Sequence, residues 1–105
     1  MSKYREEVLR TAPALDDENE MIGAALGLAG ETGEVIDYIK KFLFQGKPWD
    51  KNKLIEELGD VRWYLEYMCI SVGTTLEEVE EANVNKLRKR YPNGFSADAS
   101  NNRKE

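Results

Sequence analysis

The chain has 105 residues with no histidine, and its one cysteine, Cys69, has no partner for a disulfide. Acid–base or metal chemistry therefore falls to carboxylates. Four of them stand out by spacing. Glu31 and Glu34, and then Glu57 and Asp60, form pairs three residues apart, the separation that puts two side chains on one face of a helix. The second pair follows the first by 26 positions, and so do its neighbours: Leu54 matches Leu28, Gly59 matches Gly33, Val61 matches Val35 and Tyr64 matches Tyr38. One such pair in a chain that is 33% charged is ordinary solvated helix surface. Duplication at matched phase, each pair bordered by large apolar residues, points instead to a shared site. Two carboxylates about 5 Å apart repel by roughly 3 kcal/mol at an effective dielectric near 20, so four together require protons or cations. An all-oxygen donor set suits Mg²⁺, with Mn²⁺ as a substitute.

Helices must position these groups. On a wheel of about 100° per residue, Met21, Ala24, Ala25, Leu28, Val35, Ile39, Phe42 and Leu43 form one stripe, with Glu31, Glu34 and Tyr38 along its edge. In the next segment Leu54, Leu58, Val61, Leu65, Met68, Cys69 and Val72 form the stripe, edged by Glu57, Asp60 and Tyr64. The predicted helices span Glu18 to Phe44, after a cap at Asp16 or Asp17, and Lys51 to Val72, between a cap at Asp50 and a left-handed Gly73. Gln45-Gly46-Lys47-Pro48 separates them, so they run antiparallel and bring the two acidic pairs face to face. Gly23, Gly27 and Gly30 lie on the flank of Glu34, where glycine serves either close helix packing or clearance for a ligand. Thr75-Leu76-Glu77-Glu78 is a capping box opening a third, shorter helix to about Arg90. A short start before Pro13 has helical character, and residues 96 to 105 read as a mobile polar tail after a single domain over 1–95.

The bulk figures bound the function. One all-α domain fits this length and an apolar fraction of 41%. A net charge of −5 excludes stable binding to nucleic acid through its phosphates. No run of about 18 uncharged apolar residues exists to cross a membrane, and the N-terminal residues lack a signal-peptide core. The expected location is a reducing cytoplasm, with Cys69 as a buried structural thiol.

Glu31-Thr32-Gly33-Glu34 followed by Glu56-Glu57-Leu58-Gly59-Asp60-Val61 resembles the Glu-x-x-Glu and Glu-x-x-Asp signature of MazG-like nucleotide pyrophosphohydrolases. Ala82 to Pro92 resembles the closing segment of that family, so the resemblance covers about residues 20 to 95. It implies hydrolysis of a nucleoside triphosphate between the α and β phosphates, with Mg²⁺ held by Glu31, Glu34, Glu57 and Asp60. Glu34 is the implied proton acceptor. By the same resemblance Asn83, Lys86 and Arg90, on one face of the third helix, contact the triphosphate, and Tyr64 contacts base or sugar. Tyr38, Trp49 and Trp63 are lesser candidates for that contact. Lys40 and Lys41 follow the first acidic pair, where a lysine pair ordinarily faces water.

Ile55, Trp63, Tyr67 and Ile70 fall away from the main stripe of the second long helix, which predicts apolar surface left for a partner. The family resemblance implies a four-helix bundle completed by a second chain, as a homodimer or homotetramer. The rival readings are a non-enzymatic helical interaction module whose acidic rows bind a cation or a basic partner, a regulatory relative, and an enzyme acting on phosphoribosyl-ATP.

Overall fold

Each helix begins where the sequence supplies a side-chain oxygen to the unpaired backbone donors of its first turn. In the computed structural model, which describes residues 1–101, α1 (Lys3–Thr11) is capped by the Ser2 hydroxyl, which accepts from Arg5 N–H at 3.1 Å. Asp16 caps α2 (Asp17–Phe44), accepting from Asn19 N–H at 2.9 Å. Asp50 caps α3 (Lys51–Val72), accepting from the N–H groups of Asn52 and Lys53. Thr75 caps α4 (Leu76–Arg90), and its hydroxyl accepts from Glu78 N–H at 3.2 Å, one half of the expected capping box. The Glu78 carboxylate takes the hydroxyl of Thr74. Ser96 accepts from Ala99 N–H at the start of α5 (Ala97–Asn101). That short helix lies inside the stretch expected to be a tail; residues 102 to 105 of the tail lie outside the described residues. The described chain is all-α, and α3 ends at Gly73 with φ +77°, a left-handed conformation that glycine adopts without a Cβ clash.

Two compact units divide at Gly73. The first holds α1, α2 and α3. The two long helices run antiparallel: Tyr38 meets Asp50 near their loop, Glu31 meets Glu57 and Asp60 midway, and Gly27 meets Tyr64 further along. The loop is tied at the Tyr38 hydroxyl, which donates to the Asp50 carbonyl and accepts from the Asp50 N–H. Trp49 packs against Phe42 and Tyr38, with centroids 5.3 and 6.0 Å apart.

The buried centre forms between α1, α2 and α3, where Val8, Ala24 and Tyr67 meet, flanked by Ala12, Trp63, Tyr64, Met68 and Ile70. Part of the apolar surplus expected on α3 is thus covered from within the chain, since Tyr67 is buried against Val8 of α1 and Trp63 and Ile70 are partly buried beside it. The covering is fixed by charge as well as by burial. Glu66, only 3% exposed, accepts from Arg5 Nε at 2.8 Å and from an Arg62 guanidinium nitrogen at 3.0 Å. The Arg62 guanidinium also lies 4.4 Å above the Tyr4 ring. Burial pushes the Glu66 carboxyl up, but the hydrogen bonds and charges of Arg5 and Arg62 outweigh it and hold the group below its ordinary value. Cys69 is buried, and burial raises its thiol, in keeping with a structural role.

Other apolar groups of this unit remain open: Ile22, Leu26, Ile36 and Leu43 on α2, and Ile55 and Leu58 on α3. The second unit carries α4, the Tyr91–Phe95 ring contact at 5.7 Å and a turn at Gly94 with φ +90°. No described helix is long and apolar enough to cross a membrane.

Candidate active site

Glu31 projects from the middle of α2, and Glu57 and Asp60 from one face of α3. The antiparallel pairing brings one carboxylate oxygen of each within 4.8 Å of the others. Glu31 and Glu57 are partly buried and Asp60 is exposed. The Glu31 carboxyl is raised above its ordinary value, first by burial and then by the charges of Asp60, Glu57 and Glu34. Three carboxylates so close concentrate negative charge, and every donor is an oxygen, a set that fits a hard divalent cation. Glu34 stands outside the group of three but close enough for its charge to act on Glu31.

Two recesses flank the carboxylates. One, about 420 Å³, is lined by Glu34 and Glu57 together with Asp37, Tyr38, Lys41, Lys47, Pro48, Asp50 and Lys53. The other, about 340 Å³, is lined by Glu31 and Asp60 with Thr11, Trp63 and Tyr64. The 26-residue repeat explains this division. In the antiparallel pairing the loop-proximal members of the two acidic pairs, Glu34 and Glu57, share one recess, and the loop-distal members, Glu31 and Asp60, share the other.

Tyr64 does reach the site, as a wall of the second recess. Its ring also lies against the α2 backbone at Gly27, where an added Cβ would fall 2.0 Å from the nearest ring carbon. Gly27 is thus a packing glycine, whereas a Cβ at Gly23 or Gly30 would meet nothing within 4 Å. Trp63 stands edge-on to Tyr64 at 4.9 Å and donates its indole N–H to the Thr11 hydroxyl at 2.9 Å. Tyr38 and Trp49 are engaged at the α2–α3 loop. Lys40 and Lys41 both pair with Asp37 on the surface of α2, Lys41 at 2.8 Å. Asn83, Lys86 and Arg90 share one face of α4 within the second unit.

Two features escaped the sequence reading. Thr11 lines the second recess from α1, which lies before the recognised motifs and carries no motif of its own. Lys53 lies 3.1 Å from Glu57, one helical turn away, and lines the first recess. The spacing of Lys53 and Glu57 was visible, but it resembles any surface ion pair until the cluster beside it is seen.

The sequence profile of the MazG nucleotide pyrophosphohydrolase domain matches residues 20–95. The Gene 37 protein of Mycobacterium phage L5 is 35% identical over 82 residues, a match covering 74% of this chain and 72% of the phage protein. No solved structure matches the chain.

Proposed function

The chain belongs to the MazG nucleotide pyrophosphohydrolase family, and on that premise we propose that it hydrolyses (deoxy)nucleoside triphosphates with Mg²⁺ to a nucleoside monophosphate and pyrophosphate. The observation that carries this reading is the convergence of Glu31, Glu57 and Asp60, whose carboxylate oxygens lie within 4.8 Å of one another. Glu31, Glu57 and Asp60 would hold the ion, with Glu34 beside them as the fourth acidic group. The chemistry that Mg²⁺ (or Mn²⁺) would supply there is neutralisation of phosphate charge and a lowered pKa for a nearby water.

The protein side of the reaction follows from the lining residues. A water oxygen attacks phosphorus at the α–β anhydride, the bond to the bridging oxygen breaks, and pyrophosphate leaves. The attacking water must lose a proton. Glu34 is our choice to accept it, since it stands outside the group of three and lines the recess beside Glu57. Tyr64, with the Trp63 edge behind it, offers a flat apolar wall for base or sugar beside Glu31 and Asp60. Asn83, Lys86 and Arg90, on the family resemblance alone, would be amide and cationic donors to the phosphates.

We further propose a homodimer or homotetramer. Ile22, Leu26, Ile36 and Leu43 are each at least 49% exposed and recur at helical spacing along α2. Pairing two chains along such a stripe completes a four-helix bundle. Action on the free nucleotide pool of the cytoplasm fits this assignment. The test is pyrophosphate release from a panel of ribo- and deoxyribonucleotides. Mg²⁺-dependent release, lost in Glu34→Gln and in Asp60→Asn while the helices persist, is expected. Cation binding by the native chain with no turnover of any nucleotide would favour the non-enzymatic interaction module.

A further inference from the structure

The Glu57 side chain is only 13% exposed, and among the described residues its cation partner is Lys53, with Nζ 3.1 Å away on the preceding turn of α3. Lys53 itself is half exposed and stands in the 420 Å³ recess with Lys47, Glu34 and Glu57. An ammonium so placed meets two demands that conflict. It neutralises a carboxylate of the cluster, so it competes with any divalent cation for Glu57. It also sits where an anion held at the cluster would extend. A lysine resolves the conflict better than an arginine, because its single charge swings on a flexible four-carbon stem and is not fixed by a fork of donors.

We propose that Lys53 is an exchangeable counter-ion. It holds Glu57 in the metal-free chain, gives it up when a divalent cation binds, and turns across the recess to the terminal phosphates of the substrate or to product pyrophosphate. The inference rests on the pyrophosphohydrolase reading and adds an order to it: cation binding releases the ammonium that then receives the phosphates. A static surface pair would have no such consequence. Its neighbours support the division of labour, since Lys41 in the same recess is already committed to Asp37 at 2.8 Å.

The two roles give effects of opposite sign in one variant. Lys53→Met removes the competitor, so Mg²⁺ alone should bind about threefold to tenfold more tightly, as expected for deleting one charge near a divalent ion at a partly exposed site. The same variant should bind inorganic pyrophosphate, presented with saturating Mg²⁺, about tenfold more weakly, the loss of one charge-assisted contact. Lys51→Met, in the same first turn of α3, makes an equal change in net charge and should alter neither constant by more than about twofold. Isothermal titration calorimetry on the full chain reads both affinities without turnover. Unchanged or weaker Mg²⁺ binding by Lys53→Met overturns the counter-ion role, and unchanged pyrophosphate binding overturns the phosphate role. Failure of the native chain to bind Mg²⁺ at all is a different result, which overturns the metal reading itself and this inference with it.

Discussion

Gly27 offers a test of the helix pairing that builds the site. A Cβ added there would fall 2.0 Å from one Tyr64 ring carbon and 2.4 Å from two others. Ordinary carbon contacts lie near 3.5–4.0 Å, so the ring must retreat by about 1.5 Å or the helices must part. The ring cannot retreat easily, because Trp63 stands edge-on to it at 4.9 Å and is itself held by Thr11 at 2.9 Å. Overpacking of this kind costs about 1–3 kcal/mol. Alanine returns about 1 kcal/mol through helix propensity, leaving a net loss of up to about 2 kcal/mol for Gly27→Ala. Gly23→Ala and Gly30→Ala meet nothing within 4 Å and retain only the propensity gain. Gly27→Ala should therefore lie about 1–3 kcal/mol below the other two by urea denaturation at matched concentration, or roughly 5–20 °C in Tm for a domain of this size. A Gly27→Ala variant as stable as Gly30→Ala would refute the Tyr64 packing and, with it, the helix register that joins Glu31 to Glu57 and Asp60.

The buried Glu66 ion pairs set an acid response. Their folded-state pKa is depressed, so their stabilisation is complete above the ordinary glutamate value of 4.5 and is lost as pH falls through the lower folded value. Urea midpoints between pH 7 and pH 3 should drop less steeply for Glu66→Gln than for the native chain, and parallel slopes would contradict this. Arg5→Met leaves Glu66 with one cation and should cost about 2–3 kcal/mol at pH 7, with Glu66→Gln/Arg5→Met less than additive. The Tyr67 hydroxyl is buried without a hydrogen-bond partner among the described residues. Tyr67→Phe should accordingly gain up to about 1 kcal/mol, and a loss of more than that would reveal a partner for the hydroxyl.

Much of this architecture was legible in the residues themselves. Asp50, Thr75 and Gly73 mark helix ends by local chemistry alone, whereas at the start of α2 two adjacent aspartates, Asp16 and Asp17, both suited the cap and the structure assigns it to Asp16. The repeat of Glu31, Glu34 and Tyr38 as Glu57, Asp60 and Tyr64 was readable because it depends on periodicity. Other features depend on contacts far apart in the chain. Nothing near Arg5 announces Glu66, 61 positions later, and nothing in α1 announces that it covers Trp63 and Tyr67. The roles of the glycines were open for the same reason. Gly27 and Gly30 look alike on a helical wheel, and only the position of Tyr64 tells a packing contact from open space. The division of four carboxylates into three converging groups and a separate Glu34 needed side-chain positions that spacing cannot supply.

Identification of the products by phosphorus NMR tests the proposed reaction most directly. The native chain, freed of divalent ions, is incubated with each nucleoside triphosphate before and after addition of Mg²⁺. Nucleoside monophosphate and pyrophosphate in equal amounts, formed only after Mg²⁺ is added, are the expected result. Nucleoside diphosphate with orthophosphate, or turnover that persists in the presence of chelator, would contradict it.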